Sequence, residues 1–314
     1  MKIILASPRG FCAGVERAIG IVNDAIGFFG PPVYVRHEVV HNRRVVSELQ
    51  EKGVIFVDDL LEVPDNSILI FSAHGVSQAI RKQAKSKNCR LFDATCPLVT
   101  KVHVEVRKQS AAGYHIIMIG HAGHPEVEGT MGQIEKDRIS LVQTTYDIAN
   151  LDIDSDKIFY VTQTTLSVDE TKQIIRALQR KYPHIIGPKK DDICYATQNR
   201  QDSVKKLVKI VECVIVIGSP NSSNSRQLKH VAQSQGCLTY MIDSHEELDT
   251  AWLRDFKTVG ITAGASVPEN LITEVVQKIS EAFPDTYTEQ MESQPETISF
   301  PIPKIQKTGS HITQ

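Results

Sequence analysis

The chain has 314 residues, 41% of them hydrophobic, which fits an ordinary globular protein with a sizeable core. Its formal net charge of −2 gives no general attraction to nucleic acid or to an anionic membrane, and no apolar run approaches the roughly 18 residues that a membrane helix needs. Met1 and Lys2 lead straight into an apolar run rather than a secretory signal. We therefore expect a cytoplasmic protein whose six cysteines serve a metal or catalysis rather than disulfides.

The first predicted element is a buried strand at residues 3–6, which a glycine-bearing turn connects to Cys12. From Val15 to Ile26, apolar residues recur every three or four positions, which predicts a helix directly after Cys12. The start of a helix offers unpaired backbone N–H groups and a dipole that favours negative charge. Such a position suits a thiolate that binds a metal.

The same arrangement recurs at Cys96 and Cys194, because a helical pattern follows each of them. Pro97, directly after Cys96, fits the first turn of a helix, where its missing N–H costs nothing. The three cysteines are roughly 90 residues apart, a spacing too long for a solenoid and typical of repeated domains.

Short apolar strands alternate with helical patterns along the whole chain, which predicts an α/β fold with parallel sheets covered on both faces. We expect three similar small domains, each a parallel sheet flanked by helices, arranged with pseudo-threefold symmetry around a central site. The predicted ranges are 1–95 with Cys12, 96–193 with Cys96, 194–285 with Cys194, and a C-terminal arm at 286–314. Within the arm, residues 299–303 are expected to be extended and the last ten residues to be mobile.

Each predicted domain also carries two polar loops between a strand and a helix, at similar distances from its cysteine. Ligands bind at the carboxyl ends of strands in open parallel sheets, so three domains around an axis would bring three thiolates and six loops to one cavity. The polar residues in register are His41 and His74 in the first domain, His124 and Thr165 in the second, and Ser222, Asn224 and Ser266 in the third.

Three thiolates in one cavity would repel each other unless a cation or a cluster held them. Zinc with three cysteines and a histidine would be a closed structural site, whereas an iron–sulfur cluster held by three cysteines would leave one iron open. The chain has no tight C-x₂-C pair of the kind common at such clusters, so spacing alone leaves open that these are inert buried cysteines. Cys213 stands beside a predicted core strand and is interpreted as a packing residue, and Cys89 and Cys237 precede strands and lack the helix-start context, so none of the three is included in the site.

Other interpretations of the polar loops also remain open at this point. A lone loop histidine is more often ordinary than functional. By composition, Ser222, Ser223 and Asn224 are more typical of a plain helix N-cap cluster.

Nine segments resemble motifs of the 4-hydroxy-3-methylbut-2-enyl diphosphate reductase family. They occur in the same order as in the family and run from residue 8 to residue 266, at 8–15, 36–42, 71–77, 92–97, 120–130, 162–166, 192–197, 222–225 and 262–266.

The resemblance implies the last step of the non-mevalonate isoprenoid pathway, in which an allylic alcohol diphosphate loses its hydroxyl group to give isopentenyl and dimethylallyl diphosphate. By the resemblance, Cys12, Cys96 and Cys194 hold a 4Fe–4S cluster whose fourth iron binds the substrate hydroxyl. Glu126 belongs to the proton-delivery path, and Thr164 lies close to that hydroxyl. The diphosphate is held by His41, His74, His124, Ser222, Ser223, Asn224 and Ser266. The family also implies a ferredoxin or flavodoxin as electron donor, and the sequence contains no flavin motif.

The chemistry agrees with this assignment, because a proton supplied to a departing hydroxyl promotes C–O cleavage. A carboxyl near a bound diphosphate is expected to have a raised pKa, which would keep Glu126 a proton donor at neutral pH. Glu128 is the nearest rival for this role. Two other classes of protein remain as alternatives: a zinc-stabilised sensor of a phosphorylated metabolite, and a nucleotide-linked Rossmann oxidoreductase, which the absence of G-x-G-x-x-G after a strand disfavours.

Overall fold

The computed structural model describes residues 1–293 and 296–303, and it has the α/β architecture that the sequence predicts. Its backbone forms two compact units. The five-stranded unit contains Met1–Ala13, His41–Val45 and Tyr195–Ser299. The two-sheet unit contains Gly14–Val40, Val46–Cys194 and the described residues from Phe300 onwards.

Short strands alternate with helices throughout the described chain. The strands are β1 (Lys2–Leu5), β2 (Val33–Arg36), β3 (Val54–Val57), β4 (Ile68–Phe71), β5 (Arg90–Asp93), β6 (His115–Ile119), β7 (Ile139–Val142), β8 (Ile158–Thr162), β9 (Cys213–Ile217), β10 (Leu238–Ile242), β11 (Thr258–Ala263) and β12 (Tyr287–Gln290). The α-helices are α1 (Ala13–Phe29), α2 (Arg43–Glu51), α3 (Gln78–Ser86), α4 (Pro97–Ala111), α5 (Pro125–Met131), α6 (Val168–Lys181), α7 (Tyr195–Leu207), α8 (Ser223–Ser234) and α9 (Glu269–Ala282). No helix of the described residues has the length and apolar character needed to cross a bilayer.

The strands form three sheets, and every paired strand runs parallel to its neighbour. The five-stranded unit holds the sheet β10-β9-β11-β1-β12, and the two-sheet unit holds β3-β2-β4-β5 and β7-β6-β8. β9 is apolar along its whole length because helices cover both faces of its sheet, and all five of its residues are buried. This arrangement confirms the predicted sheets flanked by helices.

The position of β1 corrects the predicted first domain. Residues 1–95 do not form one sheet, because β1 lies between β11 and β12, with Lys2 in register with Thr258 and Tyr287. Ile3 accordingly packs in the apolar core of that sheet. The three apolar residues of so short a strand fit any buried position between parallel neighbours, so its own sequence does not select its partners.

The predicted C-terminal arm, 286–314, also differs in its first part, since β12 is an exposed edge strand rather than part of an arm. Residues 299–303 form neither helix nor strand. In the two-sheet unit, Ile302 packs against α1 at Gly20, and Arg17 Nε of α1 donates to the Pro301 carbonyl at 3.2 Å. The last ten residues, predicted to be mobile, lie outside the described part of the chain.

Candidate active site

The three cysteines singled out by the sequence each stand directly before an α-helix. Cys12 precedes α1, Cys96 is the N-cap residue of α4, and Cys194 precedes α7. Each is partly exposed, and all six cysteines of the chain are thiols. The predicted helix-start context is therefore confirmed at all three positions.

One detail differs at Cys194, which follows a loop rather than the end of a strand, because α6 lies between β8 and this cysteine. A backbone contact replaces the direct connection. The Cys194 N–H donates to the Thr164 carbonyl at 3.1 Å, which fixes the cysteine to the loop that follows β8.

The Cys12 loop is fixed to the end of β11 within the five-stranded unit. The Cys12 N–H donates to the Ala265 carbonyl at 3.2 Å, and the Gly10 N–H donates to the Ala263 carbonyl at 3.3 Å. Gly10 has a φ of 66°, and a Cβ there would lie 3.0 Å from the Val267 carbonyl oxygen. Both the left-handed backbone and the close approach therefore require glycine two residues before the cysteine.

Arg200 of α7 supports the same loop, although the sequence analysis did not single it out. Its side chain is fully buried, and Nε and Nη2 donate to the Gly10 carbonyl at 3.0 and 2.7 Å. Nη2 also donates to the Phe11 carbonyl at 3.1 Å, and Nη1 forms an ion pair with Glu296 at 3.1 Å. The only sequence signal is an arginine at a helix position expected to be buried, which does not reveal its partners.

Asn224 connects two of the predicted substrate loops in the five-stranded unit. It lies in the first turn of α8, where the Oγ of the N-cap residue Ser222 accepts from the Ser225 N–H at 3.3 Å. Asn224 Oδ1 accepts from the Ala265 N–H at 2.9 Å, and its Nδ2 donates to Thr197 Oγ1 at 3.3 Å. Asn224 thereby joins the start of α8 to Ala265, whose carbonyl accepts from the Cys12 N–H.

Ser266 extends this cluster to His41. Its Oγ donates to the His41 carbonyl at 2.8 Å, so the loop after β2 and the loop after β11 are in direct contact. Ser222, Ser223, Asn224 and Ser266 are all at most 7% exposed, whereas His41 is half-buried. The predicted register of polar loops therefore brings His41, Asn224, Ser266 and the Cys12 loop together within this unit.

His124 and His74 come together in the two-sheet unit. His124 is the N-cap residue of α5, and its Nδ1 accepts from the Glu126 N–H at 3.1 Å. Because Nδ1 accepts a hydrogen bond, the neutral ring carries its proton on Nε2, which is a hydrogen-bond donor. The His74 ring packs edge-on against the His124 ring, with centroids 5.7 Å apart.

Glu126 is a buried acid of this unit, with 4% of its surface exposed. Its Oε1 accepts from the Thr164 N–H at 2.6 Å, and its Oε2 is 2.9 Å from Thr164 Oγ1. Burial raises the pKa of Glu126 to about 7, with a smaller contribution from Asp192, while the hydrogen bonds from Thr164 oppose the rise. The direction agrees with the prediction, but the main cause is removal from water rather than the charge of a diphosphate.

Lys101 and Asp192 hold the loop before Cys194 in place, as Arg200 holds the Cys12 loop, and neither residue was predicted from the sequence. Lys101 lies on α4, the helix that begins after Cys96, and its Nζ is 3.1 Å from Asp192 Oδ1 and 2.8 Å from the Lys190 carbonyl. Asp192 Oδ2 accepts from the Thr162 N–H at 3.1 Å, and burial raises the pKa of Asp192. Lys101 thus connects the Cys96 helix to the loop that leads into Cys194.

The chemistry of the thiols limits which metal group they fit. Among the described residues, no three His, Cys, Asp or Glu side chains are grouped closely enough to hold a single metal ion. Three thiols at helix starts are soft sulfur donors of the kind that iron–sulfur clusters use. Cys12 belongs to the five-stranded unit, and Cys96 and Cys194 belong to the two-sheet unit. Their meeting at one cluster therefore stays a prediction.

The fold and these side chains define an α/β protein of parallel sheets that presents thiols, histidines and a buried acid where its strands and loops lead into helices. The chain belongs to the LytB protein family, whose model matches residues 3–280.

The relatives agree over nearly the full length. A 4-hydroxy-3-methylbut-2-enyl diphosphate reductase of Nitrosomonas europaea is 53% identical over 314 residues, covering 98% of this chain and 97% of the relative. The reductase of the same name from Azoarcus sp. is 55% identical over 304 residues, covering 96% and 97%. Among solved structures, the E-1-hydroxy-2-methyl-but-2-enyl-4-diphosphate reductase of Plasmodium falciparum matches with a TM-score of 0.91 at 37% identity, covering 98% of this chain and 95% of that one.

Proposed function

We propose that this chain removes the hydroxyl group of (E)-4-hydroxy-3-methylbut-2-enyl diphosphate by reduction. Two electrons and two protons convert the allylic alcohol into isopentenyl or dimethylallyl diphosphate and release the oxygen as water. Membership of the LytB family supports this activity, as do relatives at 53% and 55% identity that are named for it. The observation that carries the proposal is the buried acid Glu126, paired with Thr164 in a unit that also presents two of the helix-start cysteines.

Cys12, Cys96 and Cys194 would hold a 4Fe–4S cluster as its three protein ligands. When bound, that cluster supplies the electrons and a Lewis-acidic iron for the substrate hydroxyl. All three cysteines stand at helix starts, where the helix dipole favours a bound negative charge, which suits ligands of a cluster. Arg200 and Lys101 fix the loops that lead into Cys12 and Cys194, so the ligands are held on ordered backbone before any cluster binds.

Glu126 and Thr164 would deliver the proton to the departing oxygen. The Thr164 N–H keeps Glu126 Oε1 an acceptor, so protonated Glu126 carries its hydrogen on Oε2, facing Thr164 Oγ1. The threonine hydroxyl can accept this proton while it donates its own to the substrate oxygen. With a pKa of about 7, Glu126 can both give and regain a proton near neutral pH. Positioned acid catalysis of this kind typically contributes about 10²–10⁴-fold.

Neutral donors would bind the diphosphate. His124 offers Nε2–H, and the start of α8 offers backbone N–H groups and a favourable dipole next to Ser222, Ser223 and Asn224. A bulk charge of −2 is no obstacle, since these donors act locally. The complete proposed substrate set is His41, His74, His124, Thr164, Ser222, Ser223, Asn224 and Ser266.

The electrons would come from another protein, as the family resemblance implies, and the sequence contains no flavin motif of its own. A ferredoxin or flavodoxin in the cytoplasm fits this need. Purified under anaerobic conditions, the chain is expected to contain about four irons and four sulfides, to absorb visible light, and to consume the allylic diphosphate with an artificial reductant. A colourless protein that is fully active with stoichiometric zinc alone would refute the proposal. Binding of the diphosphate without reductant-dependent turnover would favour the alternative of a metabolite sensor.

A further inference from the structure

A cavity lies in the two-sheet unit, beside the junction of β5 and α4. Its volume is about 340 Å³, and Arg17, Arg81 and Arg107 line it together with Asp93, Thr95 and His103. None of these residues has a part in the proposed reaction.

The cavity carries an excess of positive charge. Arg81 forms an ion pair with Asp93 at 2.7 Å, whereas Arg17 and Arg107 have no ion-pair partner within the described part of the chain. Burial lowers the pKa of both Arg17 and Arg107, but an arginine remains charged in proteins. Three guanidinium groups therefore meet one carboxylate.

Part of the hydrogen-bonding capacity of the cavity is unused. Within the described residues, Arg81 donates only through Nη2, to Asp93, and Arg107 only through Nη1, to Gln133 Oε1 at 2.6 Å. His103 is 4% exposed, and its Nε2 has no hydrogen-bond partner among the described residues. Burial beside Arg107 and Arg81 lowers the pKa of His103 to about 4, so this ring is neutral and the positive charge is that of the arginines.

We propose that this cavity binds a small phosphorylated ligand, separately from the substrate site. The planar guanidinium group matches phosphate oxygens in two parallel hydrogen bonds, which is why arginine predominates where phosphate is recognised. A volume of about 340 Å³ lies at the lower end of the range for small-molecule sites, so the cavity suits a diphosphate or a short phosphate ester. Phe92 and Pro303 add apolar wall for a short carbon chain. This inference does not depend on the proposed reduction.

A ligand here would act on the loop that presents Cys96. Asp93 Oδ1 accepts from both the N–H and the hydroxyl of Thr95, the residue directly before Cys96, and Arg17 Nη1 donates to the Thr95 carbonyl at 3.1 Å. A phosphate that recruits Arg81 weakens its pairing with Asp93. Occupancy of the cavity is therefore coupled to the backbone that carries a predicted cluster ligand.

Calorimetric titration of the full chain with inorganic diphosphate tests the proposal. The proposed substrate site is removed first by His124→Ala with Asn224→Ala, so that one site should remain. Adding Arg81→Gln and Arg107→Gln should weaken the remaining binding by at least about tenfold, because two charge-assisted hydrogen-bond donors are lost. Adding Arg180→Gln, which removes an exposed arginine on α6, should leave it unchanged. Hydrogen exchange gives a second measurement on the same protein: diphosphate should alter the exchange rates of the backbone amides of residues 93–96.

Two results would overturn the proposal. The first is equal binding by the chain with both cavity arginines replaced and by the chain with Arg180→Gln. The second is binding that appears only after residues 304–314 are deleted, because the cavity would then serve the chain's own carboxyl terminus. Loss of reductase activity alone would bear on the proposed function and not on this site.

Discussion

Replacing Glu126 by glutamine should make the protein more stable above neutral pH while it abolishes most turnover. Burial raises the pKa of Glu126 from 4.5 to about 7, so ionising this carboxyl disfavours the folded state. At about 1.4 kcal/mol for each tenfold change in proton affinity, the cost reaches about 3 kcal/mol. It is absent below pH 4.5, where both states are protonated, grows as the pH rises towards 7, and is complete above pH 7.

Glutamine is a close mimic of the protonated acid at this position. Its amide oxygen can accept from the Thr164 N–H, and its amide nitrogen can donate to Thr164 Oγ1, so both hydrogen bonds are kept. The free energy of unfolding of Glu126→Gln should therefore exceed that of the native chain by up to about 3 kcal/mol at pH 8. The difference should shrink towards zero near pH 4.5. Turnover should fall by about 10²–10⁴-fold, because the amide has no proton to give.

Urea denaturation followed by circular dichroism at several pH values between 5 and 8 measures the stability difference, and an anaerobic assay measures turnover. Glu128→Gln is the matched control, since Glu128 is exposed on the same helix and was the rival acid; it should change neither quantity. A stability difference that does not vary with pH would refute the reasoning about burial. Near-normal turnover of Glu126→Gln would move the acid role elsewhere.

Three further substitutions test a proposed cluster ligand, Cys194, and the two side chains that hold the cysteine loops, Arg200 and Lys101. Cys194→Ser should lose the iron–sulfur absorption after anaerobic reconstitution; full iron content would remove Cys194 from the ligand set. Arg200→Gln should lower the free energy of unfolding by about 3–5 kcal/mol, since it leaves Glu296 without its buried partner, and adding Glu296→Gln should recover part of the loss. Lys101→Met should cost about 2 kcal/mol and lower iron retention, because the carboxylate of Asp192 and the loop before Cys194 lose their donor; unchanged iron retention would make Lys101 a stability residue only.

Features of the fold that depend on neighbouring residues in the chain were predictable from the sequence. The apolar runs at β6, β8 and β9 are strands because β-branched residues fill both faces of a buried sheet. Cys12 and Cys96 stand before helices because the periodic apolar pattern begins directly after them. Glu126 and Thr164 were singled out by a family resemblance rather than by spacing, and their pairing was not predicted.

Features that depend on distant parts of the chain were not predictable. Lys2 could pair with any parallel neighbour, and only tertiary packing selects Thr258 and Tyr287. Arg200 and Lys101 looked like ordinary helix residues, because a long side chain that reaches carbonyl groups of another loop leaves no periodic signal in the sequence. A single sequence therefore suggests candidate reactive groups but not the residues that hold their loops in place.

The place of β1 in its sheet has a consequence for biosynthesis. In the sequence, its neighbours β11 and β12 come only after both sheets of the two-sheet unit, and the amino group of Met1 donates to the Asp285 carbonyl at 3.2 Å. The strand is therefore translated well before its native partners and must wait for them while the intervening residues are made. The sheets of the two-sheet unit use strands from 33–93 and from 115–162, so they can assemble while synthesis continues. The Cys12 loop, which follows β1, should be the last of the three cysteine loops to reach its native form.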